Sequence, residues 1–147
     1  MKFRLPLALL SVLIITGQSY AFDFKSVANG PVVLYDAPSY KAGKIFIAPR
    51  GMPVEVILTY GEWNKVRDFN GDMFWIESKV LGAKRNVIVT VPNAKIRSNP
   101  NDSANIVFSA NKNVLLELTE PAASGWLKVQ HIDGQLGYIK RTEVWGE

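Results

Sequence analysis

The aromatic side chains are the residues of this sequence best suited to binding a ligand. Trp63 and Trp126 each open a short stretch that alternates in polarity, and Trp75 and Tyr138 hold equivalent places one predicted strand later. An aromatic ring can bury about 150–250 Å², either against a peptide or glycan or against the protein itself. Both alternatives stay open for each ring. The candidate binding residues are Tyr40, Tyr60, Trp63, Trp75, Trp126 and Tyr138.

The single histidine, His131, lies in a predicted hairpin beside Asp133. A catalytic triad or a metal site needs a histidine with supporting groups at workable spacing, and this sequence has no cysteine and no second histidine. It also has no glycine-rich phosphate loop and no nucleophile elbow. We therefore expect no enzyme, no cofactor and no metal, and we interpret His131 as a solvated turn residue. A hydrolase that depends on His131 is the alternative to test.

The charge balance limits the class of partner. The 147 residues include 17 Lys and Arg and 13 Asp and Glu, a formal net charge of +4. Without residues 1–21 two basic residues are lost, and 15 basic minus 13 acidic groups leave +2. Such a weakly charged chain is not expected to bind nucleic acid, which requires a strongly basic surface. With no cysteine, stability has to come from packed apolar side chains rather than disulfides.

The first 21 residues have the layout of a secretory signal. Lys2 and Arg4 precede the uncharged residues 5–16, and small residues stand at Ser19 and Ala21, so cleavage is expected between Ala21 and Phe22. Twelve residues at about 1.5 Å each reach about 18 Å, which is short of the roughly 30 Å hydrocarbon core. We expect a periplasmic or secreted protein with no stable membrane span after cleavage. An uncleaved anchor or a shifted site is the alternative.

The rest of the sequence reads as two copies of one strand pattern. Short apolar runs are broken every eight to twelve residues by Gly, Pro, Asn or Asp, which is typical of a small all-β fold. The stretch EWNKV is repeated as GWLKV, and WIESKVLG as YIKRTEVWG. We therefore expect one unit in residues 22–84 and a second in residues 85–147.

Each copy is predicted to contain five strands. They are 32–35, 45–48, 54–59, 63–67 and 74–76 in the first copy, and 93–97, 106–109, 114–118, 126–130 and 136–139 in the second. Asn70-Gly71 and Asp133-Gly134 should each close a tight hairpin of the primed type, because these dipeptides favour positive φ at both turn centres. A helical turn should precede Gly82 and Gly146. The short polar linker 82–85 should hold the two units near a fixed orientation.

The alternation along the tryptophan strand predicts which face is buried. Side chains of a strand point alternately to opposite faces, so Leu127 and Val129 share one face and Trp126 and Lys128 share the other. We expect the Leu127 face to form the core and the Trp126 face to lie outside.

The order of the motifs resembles a bacterial SH3-like (SH3b) domain, twice over. That family's marks are a Leu/Ile-Arg-x-x-Pro opening, a Gly-x-x-Val middle, a Trp-x-x-Val strand and a Gly-aromatic-Val/Ile ending. The second copy matches in IRSNP, WLKV and GYI. Asn111 or Asn113 replaces its middle glycine, whereas the first copy keeps Gly51 but has Tyr35 for the arginine and Phe74 for the last glycine.

The resemblance implies two tandem five-stranded barrels of a kind found in exported and cell-envelope proteins. In related barrels the long proline-containing loop flanks the binding groove, which would place Tyr40 beside it. The implied function is a non-catalytic envelope binding module for peptidoglycan peptides or another short peptide. The alternative is a periplasmic protein–protein adaptor or assembly factor that uses the surface between the barrels. We expect a monomer.

Overall fold

The computed structural model describes residues 21–121 and 123–147. The predicted secretory signal falls almost entirely on residues 1–20, outside the described part, and remains a prediction. Among the described residues the regular elements are strands and two short 3₁₀ turns, Ser78–Val80 and Arg141–Glu143. These are the helical turns expected before Gly82 and Gly146. No helix in the described ranges has the length and apolar character needed to cross a bilayer.

The first domain is one antiparallel sheet of seven strands. They are β1 Phe24–Val27, β2 Val32–Tyr35, β3 Lys44–Ala48, β4 Pro53–Tyr60, β5 Trp63–Arg67, β6 Met73–Glu77 and β7 Leu81–Gly82. Their order across the sheet is β3-β2-β6-β5-β4-β1-β7. All five strands predicted for this copy are present. The β5–β6 hairpin turns at Gly71, whose φ of 90° suits a residue without a Cβ. The primed turn type expected at both hairpins is wrong, because Gly71 and Gly134 have positive φ but Asn70 and Asp133 do not. The Gly71 amide instead donates to the Asp68 carbonyl at 3.1 Å, which makes Asn70 the third residue of a four-residue turn.

The second domain repeats this topology strand for strand. It comprises β8 Asn86–Val89, β9 Ala94–Arg97, β10 Ile106–Ala110, β11 Leu115–Leu118, β12 Trp126–Gln130, β13 Leu136–Lys140 and β14 Val144–Trp145. Their order is β10-β9-β13-β12-β11-β8-β14. The duplicated all-β fold expected from the sequence is thus confirmed.

Each sheet contains two strands beyond the predicted five. In the first domain β1 pairs with β4 on one side and with β7 on the other, and β8 does the same in the second domain. The two-residue β7 and β14 are too short to give a sequence pattern. β1 holds only four residues, and its place in the sheet depends on pairing with distant strands, which the local alternation does not encode.

The two domains have separate hydrophobic cores. Leu34, Val54 and Ile76 are among the fully buried residues of the first, and every buried residue of that cluster lies between Val27 and Ile76. The second cluster contains only residues from Val87 onward. Leu127 and Val129 belong to it and are fully buried, as the strand alternation predicts. The outward face of β12 therefore carries Trp126 and Lys128.

A seam of polar and aromatic contacts joins the domains. The rings of Phe24 and Trp145 meet edge to face with centroids 4.9 Å apart. The Arg85 guanidinium lies 5.7 Å from the Phe24 ring centre, and its Nη2 donates to the Gly146 carbonyl at 3.1 Å. Trp145 is half-buried in this seam. The linker is therefore part of the interface rather than a free tether.

The backbone also approaches closely across the seam. The Asn86 amide donates to Ser26 Oγ at 3.1 Å, and Ser26 is buried. Gly146 has a φ of 116°, and a Cβ built on it would lie 2.8 Å from Pro53 Cβ. Only glycine fits this position. Such contacts favour the fixed relative orientation expected from the short linker.

Candidate functional site

Trp63 is sealed beneath two tyrosines on the outer face of the first domain. Its exposed fraction is only 9%. The Tyr35 ring meets it edge-on at 5.4 Å, and the Tyr40 ring contacts it at 5.1 Å with an interplanar angle of 63°. This packing leaves little of the indole surface free to stack on a ligand. Trp63 therefore supports the long loop that carries Tyr40.

Tyr40 is the accessible member of this cluster, with an exposed fraction of 60%. Its hydroxyl donates to Glu77 Oε2 at 2.6 Å, and Lys79 Nζ lies 2.6 Å from the same carboxylate. The hydrogen bond from Lys79, followed by that from Tyr40, lowers the pKa of Glu77. The hydrogen bond to Glu77 raises the pKa of the Tyr40 hydroxyl in turn. The long loop is thereby tied to the end of β6.

The two other candidates of the first domain lie on either side of this cluster. Tyr60 ends β4 opposite Trp63 and is 66% exposed. Trp75 is half-buried on the outer face, paired with Tyr35 on one side and Lys65 on the other. The structure thus brings Tyr40 and Trp63 into contact, with Tyr60 and Trp75 on the neighbouring strands.

The second domain has the same tryptophan without its aromatic cover. Arg97 and Asp102 occupy the positions equivalent to Tyr35 and Tyr40. Trp126 is half-buried, and Lys140 pairs with it across the sheet with Nζ 5.7 Å from the ring centre. This distance is typical of a cation–π contact. Asp102 Oδ1 lies 2.7 Å from Lys140 Nζ, and this hydrogen bond lowers the pKa of Asp102.

Tyr138 lies between two basic residues on the same outer face. Its cross-strand partners are Arg97 and Lys128. Arg97 Nη1 donates to the Ala104 carbonyl at 2.8 Å, which anchors the long loop of this domain. Lys128 Nζ lies 2.6 Å from Glu120 Oε1, and that contact raises the pKa of the ammonium group. The outer face therefore presents two half-buried rings among basic side chains.

Sequence reasoning identified the rings of this surface but not all of their basic neighbours. Lys128 could be placed beside Trp126 because strand alternation puts both on one face. Lys140 pairs with Trp126 only through the register of β12 and β13, which no local pattern reveals. Tyr35 was noted as a departure from the family motif, and its role as a cover for Trp63 was missed.

His131 forms a pair with Asp133 in the second hairpin. Its Nδ1 lies 3.0 Å from Asp133 Oδ1, and its ring packs 5.7 Å from that of Phe108. The backbone amide of Gln135, then its side chain, lowers the pKa of Asp133 to about 2. Within the described ranges no hydroxyl side chain hydrogen-bonds to His131, and no group of three potential metal ligands occurs. His131 is half-buried and its Nδ1 is shielded from solvent, so the interpretation as a turn residue fits but the expectation that it is solvated is wrong for this atom.

A cleft of about 680 Å³ opens between the domains. Arg50, Lys84, His131 and Ile132 are among its lining residues. Lys84 pairs with Glu117 at 2.7 Å, while Ile132 is 96% exposed at the hairpin tip. Ala21 and Phe22, where cleavage is expected, are exposed at the start of the described chain. Cleavage between them stays a prediction.

Comparison with known proteins identifies both domains. Residues 28–82 and 90–146 each match the family model described as "Bacterial SH3 domain". No curated protein matches the chain. Among solved structures it is similar to NlpC2 from Trichomonas vaginalis, with 14% identity, a TM-score of 0.39, and coverage of 84% of this chain and 47% of that one. It is also similar to NlpC1 from the same organism, with 17% identity, a TM-score of 0.39, and coverage of 95% of this chain and 51% of that one. The chain spans about half the length of these structures.

Proposed function

This chain belongs to the bacterial SH3 domain family, and from that membership we propose that it is a non-catalytic binding module of the cell envelope. Bacterial SH3 domains are typically binding modules without catalytic activity. The proposed ligand is a peptidoglycan peptide or another short peptide. The proposed location, periplasmic or secreted, depends on the signal expected in residues 1–21.

The observation that carries this proposal is the uncovered aromatic surface of the second domain. Trp126 and Tyr138 offer half-buried rings on the outer face, whereas the equivalent Trp63 is sealed. A guanidinium group has five N–H donors, so Arg97 retains donors beyond the one that bonds to Ala104. An aromatic platform beside a guanidinium and an ammonium suits a peptide that carries a carboxylate.

The first domain contributes a different surface. Tyr40 and Tyr60 are its exposed aromatic candidates, and Glu77 stands where the second domain has Lys140. We therefore assign the carboxylate-bearing peptide to the second domain. The first domain supports binding through contacts of Tyr40, Tyr60 and Trp75.

A sacculus pulldown tests this function. Residues 22–147 are incubated with isolated cell-wall sacculi at low salt, and the retained fraction is compared between the wild-type chain and Trp126→Ala. We expect Trp126→Ala to weaken retention at least tenfold while the thermal melt changes little. The matched control is Met73→Ala, an exposed apolar residue of the first domain that is not a candidate binding residue. Wild-type protein that stays in the supernatant would show that wall binding is wrong.

The cleft between the domains favours a second candidate, a protein–protein adaptor. Ile132 lines the cleft and is almost fully exposed, so a partner that enters the cleft would contact this side chain. Crosslinking in intact cells followed by mass spectrometry should return one recurring envelope protein, and Ile132→Ser should remove it. A spread of unrelated proteins would contradict the adaptor function.

A further inference from the structure

The edge strand β3 of the first domain presents apolar side chains to solvent on both faces. Ile45, Phe46 and Ile47 have exposed fractions of 55%, 48% and 64%. Among the described residues β3 pairs only with β2, so its other side has no strand neighbour. Alternate residues of such an edge direct their N–H and C=O groups away from the sheet, where they can pair with another chain.

The equivalent edge of the second domain is more polar at one position. Where the first domain pairs Val33 with Ile47, the second pairs Lys95 with Ser109, and Lys95 Nζ donates to Ser109 Oγ at 3.1 Å. Both edge pairings shift register at an irregularity, between Ile106 and Phe108 in the second domain and between Leu34 and Tyr35 in the first, so the shift does not distinguish the two edges. A lysine beside the edge is a common device that keeps it from pairing with a foreign strand.

The two edges differ at one cross-strand pair rather than throughout. β10 also exposes Ile106 and Val107, at 51% and 42%, but only the first domain has two apolar residues, Val33 and Ile47, where the second has Lys95 and Ser109. An exposed apolar edge favours aggregation unless it has a partner, so the difference points to a binding role for β3.

The charges around β3 indicate which kind of strand fits it. Lys44 begins the strand and Arg50 follows its end, and neither forms an ion pair with a described residue. In antiparallel self-pairing centred on Phe46, Lys44 of one copy would stand diagonally across from Arg50 of the other. Like charges placed close across a strand pair destabilise it. A strand with acidic ends would instead meet a basic residue at each end.

We propose that β3 binds an extended segment of another protein as an added strand. The segment has apolar side chains at alternate positions and acidic residues at both ends. Main-chain hydrogen bonds to β3 supply affinity, and contacts with Ile45 and Ile47 on one face and with Phe46 on the other select the sequence. This site is distinct from the aromatic surface of the second domain. Failure of either proposal leaves the other standing.

The test is a titration of ¹⁵N-labelled residues 22–147 with the synthetic peptide Asp-Val-Thr-Val-Thr-Val-Glu, followed by NMR. We expect the largest amide shifts in residues 44–48. The double variant Val33→Lys with Ile47→Ser copies the edge of the second domain and should weaken binding at least tenfold. The matched control Ile106→Ser changes an exposed apolar residue of β10 and should leave the affinity unchanged.

Two control peptides and a sedimentation measurement complete the experiment. A peptide with a central proline removes a main-chain donor and should not bind, and one with lysine at both ends should bind at least tenfold more weakly. The proposal is overturned if the acidic peptide shifts no amide of β3. It is equally overturned if the double variant binds like the wild type, or if sedimentation shows a dimer of this chain held by Ile45 and Ile47.

Discussion

The hydroxyl of Tyr40 donates a 2.6 Å hydrogen bond to the Glu77 carboxylate and thereby ties the long loop after β2 to the end of β6. At the same two positions of the second domain stand Asp102 and Lys140, which form an ion pair at 2.7 Å. The loop is fastened at the same point in both domains by different chemistry. The residue at the end of the strand is acidic in the first domain, Glu77, and basic in the second, Lys140.

The contacts of Lys79 and Tyr40 with Glu77 predict a depressed pKa for Glu77. Hydrogen bonds from Lys79 and Tyr40 favour the ionised form, so the pKa of Glu77 in the folded protein lies below its usual 4.5. These two contacts therefore stabilise the fold at a pH above the unfolded pKa, and this contribution is lost as pH falls through the lower folded pKa. An NMR titration of the Glu77 carboxyl carbon measures the shift.

Two variants separate the causes of this shift. Lys79→Ala should raise the pKa of Glu77 more than Tyr40→Phe does, because the Lys79 contact is the larger cause. A Glu77 titration midpoint at or above 4.5 in the wild-type chain would contradict the geometry.

Val129→Asp should unfold the second domain. The side chain of Val129 is fully buried in the second core, and burying an unpaired carboxylate costs several kcal/mol, comparable with the whole stability of a small domain. Circular dichroism melts and the NMR amide spectrum measure the loss. Lys128→Asp, one residue away on the outer face, is the control and should leave the domain folded. Equal stability of the two variants would show that the strand faces are reversed.

Gly137→Ala should destabilise the second domain by about 1–3 kcal/mol, the usual cost of overpacking. A Cβ at Gly137 would lie 2.4 Å from Ile96 Cγ2 and 2.9 Å from the Arg97 carbonyl oxygen, and the latter belongs to the backbone. Urea denaturation measures the change. Gly125→Ala is a matched control, because a Cβ there meets no atom within 4 Å. A Gly137→Ala variant as stable as Gly125→Ala would be incompatible with this packing.

Trp145→Ala should loosen the seam between the domains without unfolding either. The Trp145 ring contacts Phe24 across the interface, and neither ring belongs to one of the two core clusters. ¹⁵N relaxation should then report a shorter rotational correlation time for each domain. Tyr60→Ala, an exposed aromatic, serves as the comparison and should tumble as the wild type does. Unchanged tumbling of Trp145→Ala would mean that Trp145 is not what holds the domains together.

The sequence predicted the elements better than it predicted the contacts between them. Alternation placed Leu127 and Val129 in the core, and the Asn-Gly and Asp-Gly dipeptides located both hairpins. The burial of Trp63 was not predictable, because it depends on Tyr35 and Tyr40, which approach from another strand and a loop.

Phe74 shows a similar limit of the sequence pattern. It departs from the glycine that the family motif has there, and in the structure its ring stacks on Phe46 with centroids 6.3 Å apart. Comparison with the family motif shows that Phe74 replaces a glycine. Only the structure shows that its ring contacts Phe46 on the edge strand β3. Long-range pairing therefore accounts for most of what the sequence left open.

The seam built from Phe24, Arg85 and Trp145 has a consequence for avidity. Two domains joined by a flexible linker bind independently, and each loses its own conformational and orientational entropy when it binds a ligand. Two domains held rigidly present their binding surfaces at a fixed spacing. Once one domain has bound a polymer with matching repeats, the next repeat lies at a high effective concentration for the other domain. Polymers whose repeats fall out of step gain nothing from the second module. If the proposed wall binding is correct, the interface would favour polymers whose repeats match the spacing of the two surfaces.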